Sequence, residues 1–263
     1  MSLTAPAMDL IRHEMRPRRL RLDSIAPRGN DLVTCWFSGD LDGFVSLGSG
    51  DHVKFQVPDA EGRVPEPDLV DGRLANRAEF ALRDMTPREV VDGRLRIDIV
   101  RHDDGVVGEW LTRATPGDEV LILGPRGSRV ITDTFAAARY FVDAAAIPAA
   151  ERRLRELPVE DAELHVVVPA GAEAGDLDAG AARVTRHELP AGVARWPGVS
   201  ELLAAAIPDD RDTLVWAAGE ATGVAAARRA ATDVARPGLA GLFNGYWRAG
   251  ESGYDHHAPL PEA

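Results

Sequence analysis

Among its 263 residues the chain has one cysteine, Cys35, and one lysine, Lys54. A single thiol excludes an intrachain disulfide and any metal cluster built on several thiolates. It suits a reducing compartment, so a cytoplasmic setting is expected. No run of about 18 apolar residues occurs, the length a membrane-crossing helix requires, so membrane insertion is not expected. The opening MSLTAPAMDLIRHEMRPRRLRL lacks an apolar segment ahead of its charges and does not read as a secretory leader. Bases are scarce as well: 30 Lys and Arg stand against 42 Asp and Glu, giving a formal net charge of -12. Such a field repels phosphate backbones and argues against nucleic acid as a partner. What is present suffices for a folded protein. Hydrophobic residues make up 45% of the chain, enough to bury a core, and the length accommodates two domains.

Two rhythms divide the sequence. From residue 18 to 131, RRLRLDSIAP, DLVTCWFSG, DHVKFQVP, RLRIDIVRH, DEVLILGP and SRVIT are short alternating or β-branched runs broken by Gly, Pro and Asp, and they predict strands. One helical piece, VVGEWLTRA, interrupts them. This pattern predicts a small antiparallel barrel. From 139 to 250 the order is strand, helix, strand: RYFVDAA, IPAAERRLREL, ELHVVVPA, ARVTRHEL, GVSELLAAAI, DTLVWAAG, ATGVAAARRAATDVA and GLFNGYW. Alternation of this kind predicts a parallel sheet with helices on both faces. Residues 1–17 are expected as an N-terminal tail (1–12 loose), 132–138 as the linker and 251–263 as a C-terminal tail. The stretch 171–182 is expected as a partly disordered loop. No internal repeat is found.

Five stretches then occur in order: GDLDGFVSLGSGDHVKFQVP (39–58), RDMTPR (83–88), RHDDGVVGEWLTRATPGDEVLILGPRGS (101–128), VWAAGE (215–220) and GYWRAG (245–250). Together they resemble the siderophore-interacting protein family, the FAD-binding ferric-siderophore reductases related to ferredoxin-NADP reductase. The resemblance spans about 18–250. It implies an antiparallel β-barrel FAD-binding domain followed by a parallel-sheet α/β domain of NAD(P)H-binding type. It also implies electron transfer from NAD(P)H through FAD to an iron(III) chelate, a ferric siderophore above all, with release of iron(II).

The chemistry explains why these residue types matter. FAD offers a doubly negative pyrophosphate, a flat apolar ring and a hydrogen-bonding N5. A guanidinium can fork onto the first, an aromatic ring can stack on the second and a hydroxyl can reach the third. In the family, by resemblance, the pattern is Arg-x-Tyr-Thr/Ser. Arg83 and Thr86 match it, and Met85 stands at the tyrosine position. On a strand Arg83 and Met85 share a face. The second flavin element implies a contact from His102 and a helix start at Gly105, where relatives carry Gly-Pro-Ala-Ser-x-Trp; Gly108 replaces the serine. His102 reads equally as a strand-end histidine. Relatives carry Gly-Asp-Glu-Thr-Ala-Leu-Pro-Ala after the first α/β strand. Here VDAAAIPA keeps Asp143 but has Val142, Ala144 and Ala145 for the glycine, glutamate and threonine.

Gly219 and Glu220 close the next strand, where open α/β sheets bind ligands. Glu220 reads equally as a helix N-terminal carboxylate favoured by the dipole. Tyr246 and Trp247 lie at the family's closing strand and read equally as core. The expected cofactor contacts are therefore Arg83, Met85, Thr86, His102, Gly105, Gly108, Asp143, Gly219, Glu220, Tyr246 and Trp247. Lys54 and nearby arginines are candidates for an anionic chelate. No catalytic side chain and no metal site is expected: His256 and His257 lack a spaced partner and read as solvated, and GPRGS has no nucleophile elbow around its serine. The departures at Met85, Gly108, Val142, Ala144 and Ala145 cluster where cofactors should touch. They leave open a second reading, a redox-inactive paralogue that binds a ligand or partner.

Overall fold

The computed structural model describes residues 2–29, 31–102, 105–172, 175–190, 193, 196 and 198–262. Asp9–Val130 form one compact unit; Ile131–Ala263 and Met1–Met8 form the other.

The first unit contains β1 (Met8–Arg12), β2 (Pro17–Arg28), β3 (Leu32–Gly39), β4 (Val53–Gln56), β5 (Leu69–Val70), β6 (Arg73–Leu74), β7 (Arg83–Met85), β8 (Glu89–Val91), β9 (Arg94–Val100), α1 (Gly105–Leu111), β10 (Glu119–Leu123) and β11 (Gly127–Ile131). Seven strands form one antiparallel sheet in the order β7-β4-β10-β2-β3-β9-β8. Alternation decides which face turns inward. On β3, Val33, Cys35 and Phe37 are buried, and on β9 Leu95, Ile97 and Ile99 join them in one core. Phe37 on β3 and Phe55 on β4 lie three strands apart in the sheet, yet their ring centroids are 5.7 Å apart. The sheet therefore curls on itself as the alternating runs predicted. Trp110 of α1 fills the interior, edge-on to Phe55 at 6.0 Å, with its Nε1 donating to Asp118 Oδ2 at 3.1 Å.

Residues 8–12, expected within a loose tail, are instead a strand paired with β11. Their mostly exposed side chains carry no core pattern. What holds them is the ladder, the His13 N–H on Arg126 O at 3.0 Å, and His13 Nε2 against Ser128 Oγ at 2.7 Å. Gly127 permits this approach, since a Cβ there would lie 2.8 Å from Ile11 O. These are distant contacts, which no local pattern announces.

The second unit contains β12 (Ala137–Asp143), α2 (Ile147–Glu156), β13 (Asp161–Pro169), β14 (Arg183–Leu189), α3 (Val199–Ala206), β15 (Thr213–Glu220), α4 (Ala221–Asp233) and β16 (Leu239–Trp247). The five strands are parallel, in the order β14-β13-β12-β15-β16. All of β12 and β15 is buried, as continuous apolar runs covered on both faces require. One face sets Phe141, Val215 and Ala217 against α3 and α4 through Val199, Leu203, Val224 and Ala227. Tyr140 and Trp216 alternate with these residues and face the other way, where α2 lies. The chain runs from β12 outward to β13 and β14 and then crosses to β15 on the other side of β12, so the carboxyl ends of β12 and β15 flank the switch point at which such sheets receive ligands. The loop 171–182, where described, is anchored: the Asp178 N–H donates to Glu151 Oε1 at 2.8 Å. Residues 173 and 174 of that loop lie outside the described residues. Among the described residues no helix is long and apolar enough to cross a membrane.

Candidate cofactor site

In the first unit, the strand β7 is an edge. Its register sets Met85 opposite Val53 and Arg83 opposite Phe55, so both share the inward face and Met85 packs against the barrel core. Asp84 turns the other way and pairs with Lys54 at 2.7 Å. The Arg83 guanidinium makes a single bond, from Nη1 to Leu82 O at 3.0 Å, which leaves most of its donors free among the described residues. Thr86 follows at the strand end, half-buried, and its hydroxyl has no protein partner among the described residues.

Past β9 the chain passes exposed His102, and α1 opens at Gly105, whose φ of +76° lies in the left-handed region that favours glycine. Among the described residues the atom nearest the missing Cβ of Gly105 is His102 Cε1, at 3.7 Å. Gly108 is different: a Cβ there would lie 2.3 Å from His102 O and 2.8 Å from its Nδ1. The glycine that replaces the family's serine thus has a local cause, because α1 rests directly on the His102 backbone. Asp103 and Asp104 lie outside the described residues.

In the second unit, the carboxyl end of the sheet is knit by two acids. Asp143 caps a short 3-10 turn, Ala144–Ala146, through Ala145 N at 3.0 Å. Its Oδ2 also accepts from Glu220 N at 2.7 Å and from Trp247 Nε1 at 2.9 Å. Burial pushes this carboxyl up to about 6, against the opposing pull of the three N–H donors. Gly219, at φ +140°, makes the packing possible, since a Cβ would stand 2.3 Å from Asp143 Oδ2. Glu220 is the N-cap of α4: Oε2 accepts from Gly223 N at 2.9 Å and Oε1 from Ala249 N at 3.3 Å. Of its two sequence readings the helix-terminal one is realised. Asp143, Gly219, Glu220 and Trp247 are therefore brought together, and Arg83, Met85 and Thr86 form a second group. Val142 is fully buried within β12. Tyr246 is half-buried, and burial pushes its hydroxyl up to about 12. The bond between Asp143 and Trp247 was not foreseen. Its only sequence trace is an acid and an indole at the ends of two strands of one parallel sheet.

A curled antiparallel unit followed by a parallel α/β unit is a fold also found in solved ferredoxin-reductase-like structures. The cytochrome P450 reductase GcoB of Amycolatopsis shares it, with a TM-score of 0.62 at 15% identity over 87% of this chain and 70% of that one, a likeness of fold. Within that fold the family assignment is specific. Residues 23–129 match the siderophore-interacting FAD-binding domain and 135–250 match the siderophore-interacting protein domain. A siderophore utilization protein from T. fusca superimposes with a TM-score of 0.80 at 30% identity, over 96% of this chain and all of that one. The chain belongs to the siderophore-interacting protein family. The siderophore-interacting protein SipS of Aeromonas hydrophila shares the fold at a TM-score of 0.67 and 22% identity, over 90% of this chain and all of that one. The NADPH-dependent ferric-chelate reductase of Escherichia coli (strain K12) is 32% identical over 154 residues, 56% of this chain and only 59% of that protein.

Proposed function

We propose that the chain is an FAD-dependent ferric-chelate reductase, taking electrons from NAD(P)H and acting on an iron(III) chelate of siderophore type. The observation that carries this reading is the unspent donor set on β7, which lies inside the segment matched as an FAD-binding domain. Those donors suit the cofactor. Arg83 supplies a guanidinium with free N–H groups for a pyrophosphate, and Thr86 supplies a hydroxyl for a ring nitrogen. Gly105, in the left-handed region, starts α1 beside His102. When bound, FAD supplies the conversion between two-electron and one-electron transfer that joins a nicotinamide to iron. The chain's part is to bind, orient and shield. Met85 closes the edge of the core next to Arg83 and keeps that flank dry. Trp247, fixed in plane by its bond to Asp143, presents its exposed ring at the carboxyl end of the α/β sheet. Reduction of the substrate iron to iron(II) weakens its hold on hard oxygen ligands and frees it.

A second reading, a paralogue that keeps the fold without turnover, is favoured by the state of the α/β edge. There Asp143 and Glu220 spend their acceptors on the chain itself, and Ala144 and Ala145 offer no polar side chain. One experiment separates the two. The purified protein is incubated with excess FAD and desalted, its visible spectrum is recorded, and NADH or NADPH is added without oxygen, followed by an iron(III) chelate with an iron(II)-specific chromophore. The reductase reading expects retained flavin bands, bleaching by a nicotinamide nucleotide and colour from iron(II). A protein that stays colourless after loading overturns it, and retained flavin that neither nucleotide bleaches supports the paralogue.

A further inference from the structure

The face of the parallel sheet beneath α2 carries a buried charge that the proposed reduction does not use. We propose that Arg153, together with the hydroxyls of Tyr140 and Tyr246, forms a binding site for a small oxyanion such as phosphate. Arg153 is 6% exposed, its Nε has no partner, and its guanidinium makes no hydrogen bond or ion pair among the described residues. Of the carboxylates on its helix, Glu156 is held by Arg152 through Nε at 2.9 Å and Nη2 at 2.6 Å, and Glu151 accepts from the Asp178 N–H at 2.8 Å. Beneath Arg153 lies the Trp216 ring, its centroid 4.5 Å from the guanidinium carbon. A ring face attracts the cation but satisfies none of its N–H donors. The indole N–H of Trp216 is already spent on Asn244 Oδ1 at 3.0 Å.

Two phenols complete the group. Tyr140 is the register partner of Trp216 on the neighbouring strand, so both project to the same side, with ring centroids 6.1 Å apart. Tyr140 is fully buried and its hydroxyl has no partner among the described residues. Tyr246 lies on β16 where its register with β15 shifts by one residue, and it stands within the electrostatic reach of Arg153. The Tyr140 and Tyr246 hydroxyls both lie in the field of Arg153, and burial pushes each up to about 12, so each keeps its proton and can donate. The set is one positive charge and several donors, with no carboxylate bound to the guanidinium. A buried ion left so is costly, and an acceptor with several oxygens answers both the charge and the donors. A guanidinium fork with flanking hydroxyls matches an oxyanion better than a halide, which offers a single centre.

The site stands independently of the reductase reading, because its test is binding. The full chain is titrated with potassium phosphate at an ionic strength held constant with potassium chloride, following tryptophan emission and the unfolding midpoint. A parallel series uses acetate. The proposal expects a saturable response to phosphate or acetate, absent in Arg153→Met and weakened roughly tenfold or more in Tyr140→Phe, which removes one oxygen and keeps the ring. If Arg153→Met fails to fold, Tyr140→Phe decides alone. A response of equal affinity in the wild type and Tyr140→Phe locates the anion elsewhere, Arg83 included, and overturns the proposal. So does a response that chloride reproduces, or no saturable response at all.

Discussion

Asp143 concentrates the physics of this chain in one residue. It accepts three N–H groups in a setting so buried that its carboxyl rises from 3.8 to about 6. Between these values the folded protein binds a proton that the unfolded chain has released. The stabilising contribution is therefore complete below about pH 4 and is lost as pH rises through about 6. A shift of about two pH units corresponds to about 3 kcal/mol. Urea unfolding from pH 4 to 7 should show the wild type losing stability relative to Asp143→Asn, which cannot titrate; parallel curves would sink this account. Its neighbour Gly219 is constrained twice, by a φ of +140° and by an oxygen where a Cβ would go. Gly219→Ala should cost about 2–4 kcal/mol. An unfolding midpoint unchanged from wild type would show that Asp143 moves aside without penalty.

Among the elements, β7 places the proposed cofactor donor Arg83 on an edge strand of the barrel sheet. Among the described residues, the Arg83 side chain bonds only the neighbouring Leu82 carbonyl. Arg83→Gln should therefore leave the unfolding midpoint of the flavin-free protein within error of wild type. A lost charge-assisted pair costs about 1.5–3 kcal/mol, so FAD should bind about 10–100-fold more weakly in a fluorescence titration. Equal FAD affinity would remove Arg83 from the site. The same scale explains what sequence reading could reach. The long alternating strands β2, β3 and β9 and the buried run of β12 were legible, since each carries its own hydrophobic period. The strand β1 was not, because its side chains are exposed and its partner β11 lies more than a hundred residues away. The short β5 and β6 fall below the length at which a period exists. At the candidate site, Arg83 and Thr86 were legible as residue types that suit the proposed cofactor. Gly108 and Gly219 were legible as glycines but not in purpose, which depends on His102 and Asp143 arriving from elsewhere in the chain.

At the scale of the whole molecule, the dominant property is the net charge of -12. Iron(III) chelates with hard oxygen ligands are commonly anionic, and a field of this sign slows their approach. The single lysine cannot reverse it, since Lys54 is paired with Asp84. Salt screens such repulsion over about 10 Å at 0.1 M and about 3 Å at 1 M. If the proposed reduction holds, kcat/KM for an anionic chelate should rise with potassium chloride between about 0.01 and 0.5 M, while that for a neutral chelate stays level. Steady-state iron(II) formation with the two chelates measured side by side tests this directly. A value for the anionic chelate that falls with salt would show that arginines near the point of entry outweigh the net field, so that a local basic surface, rather than the overall charge, governs capture.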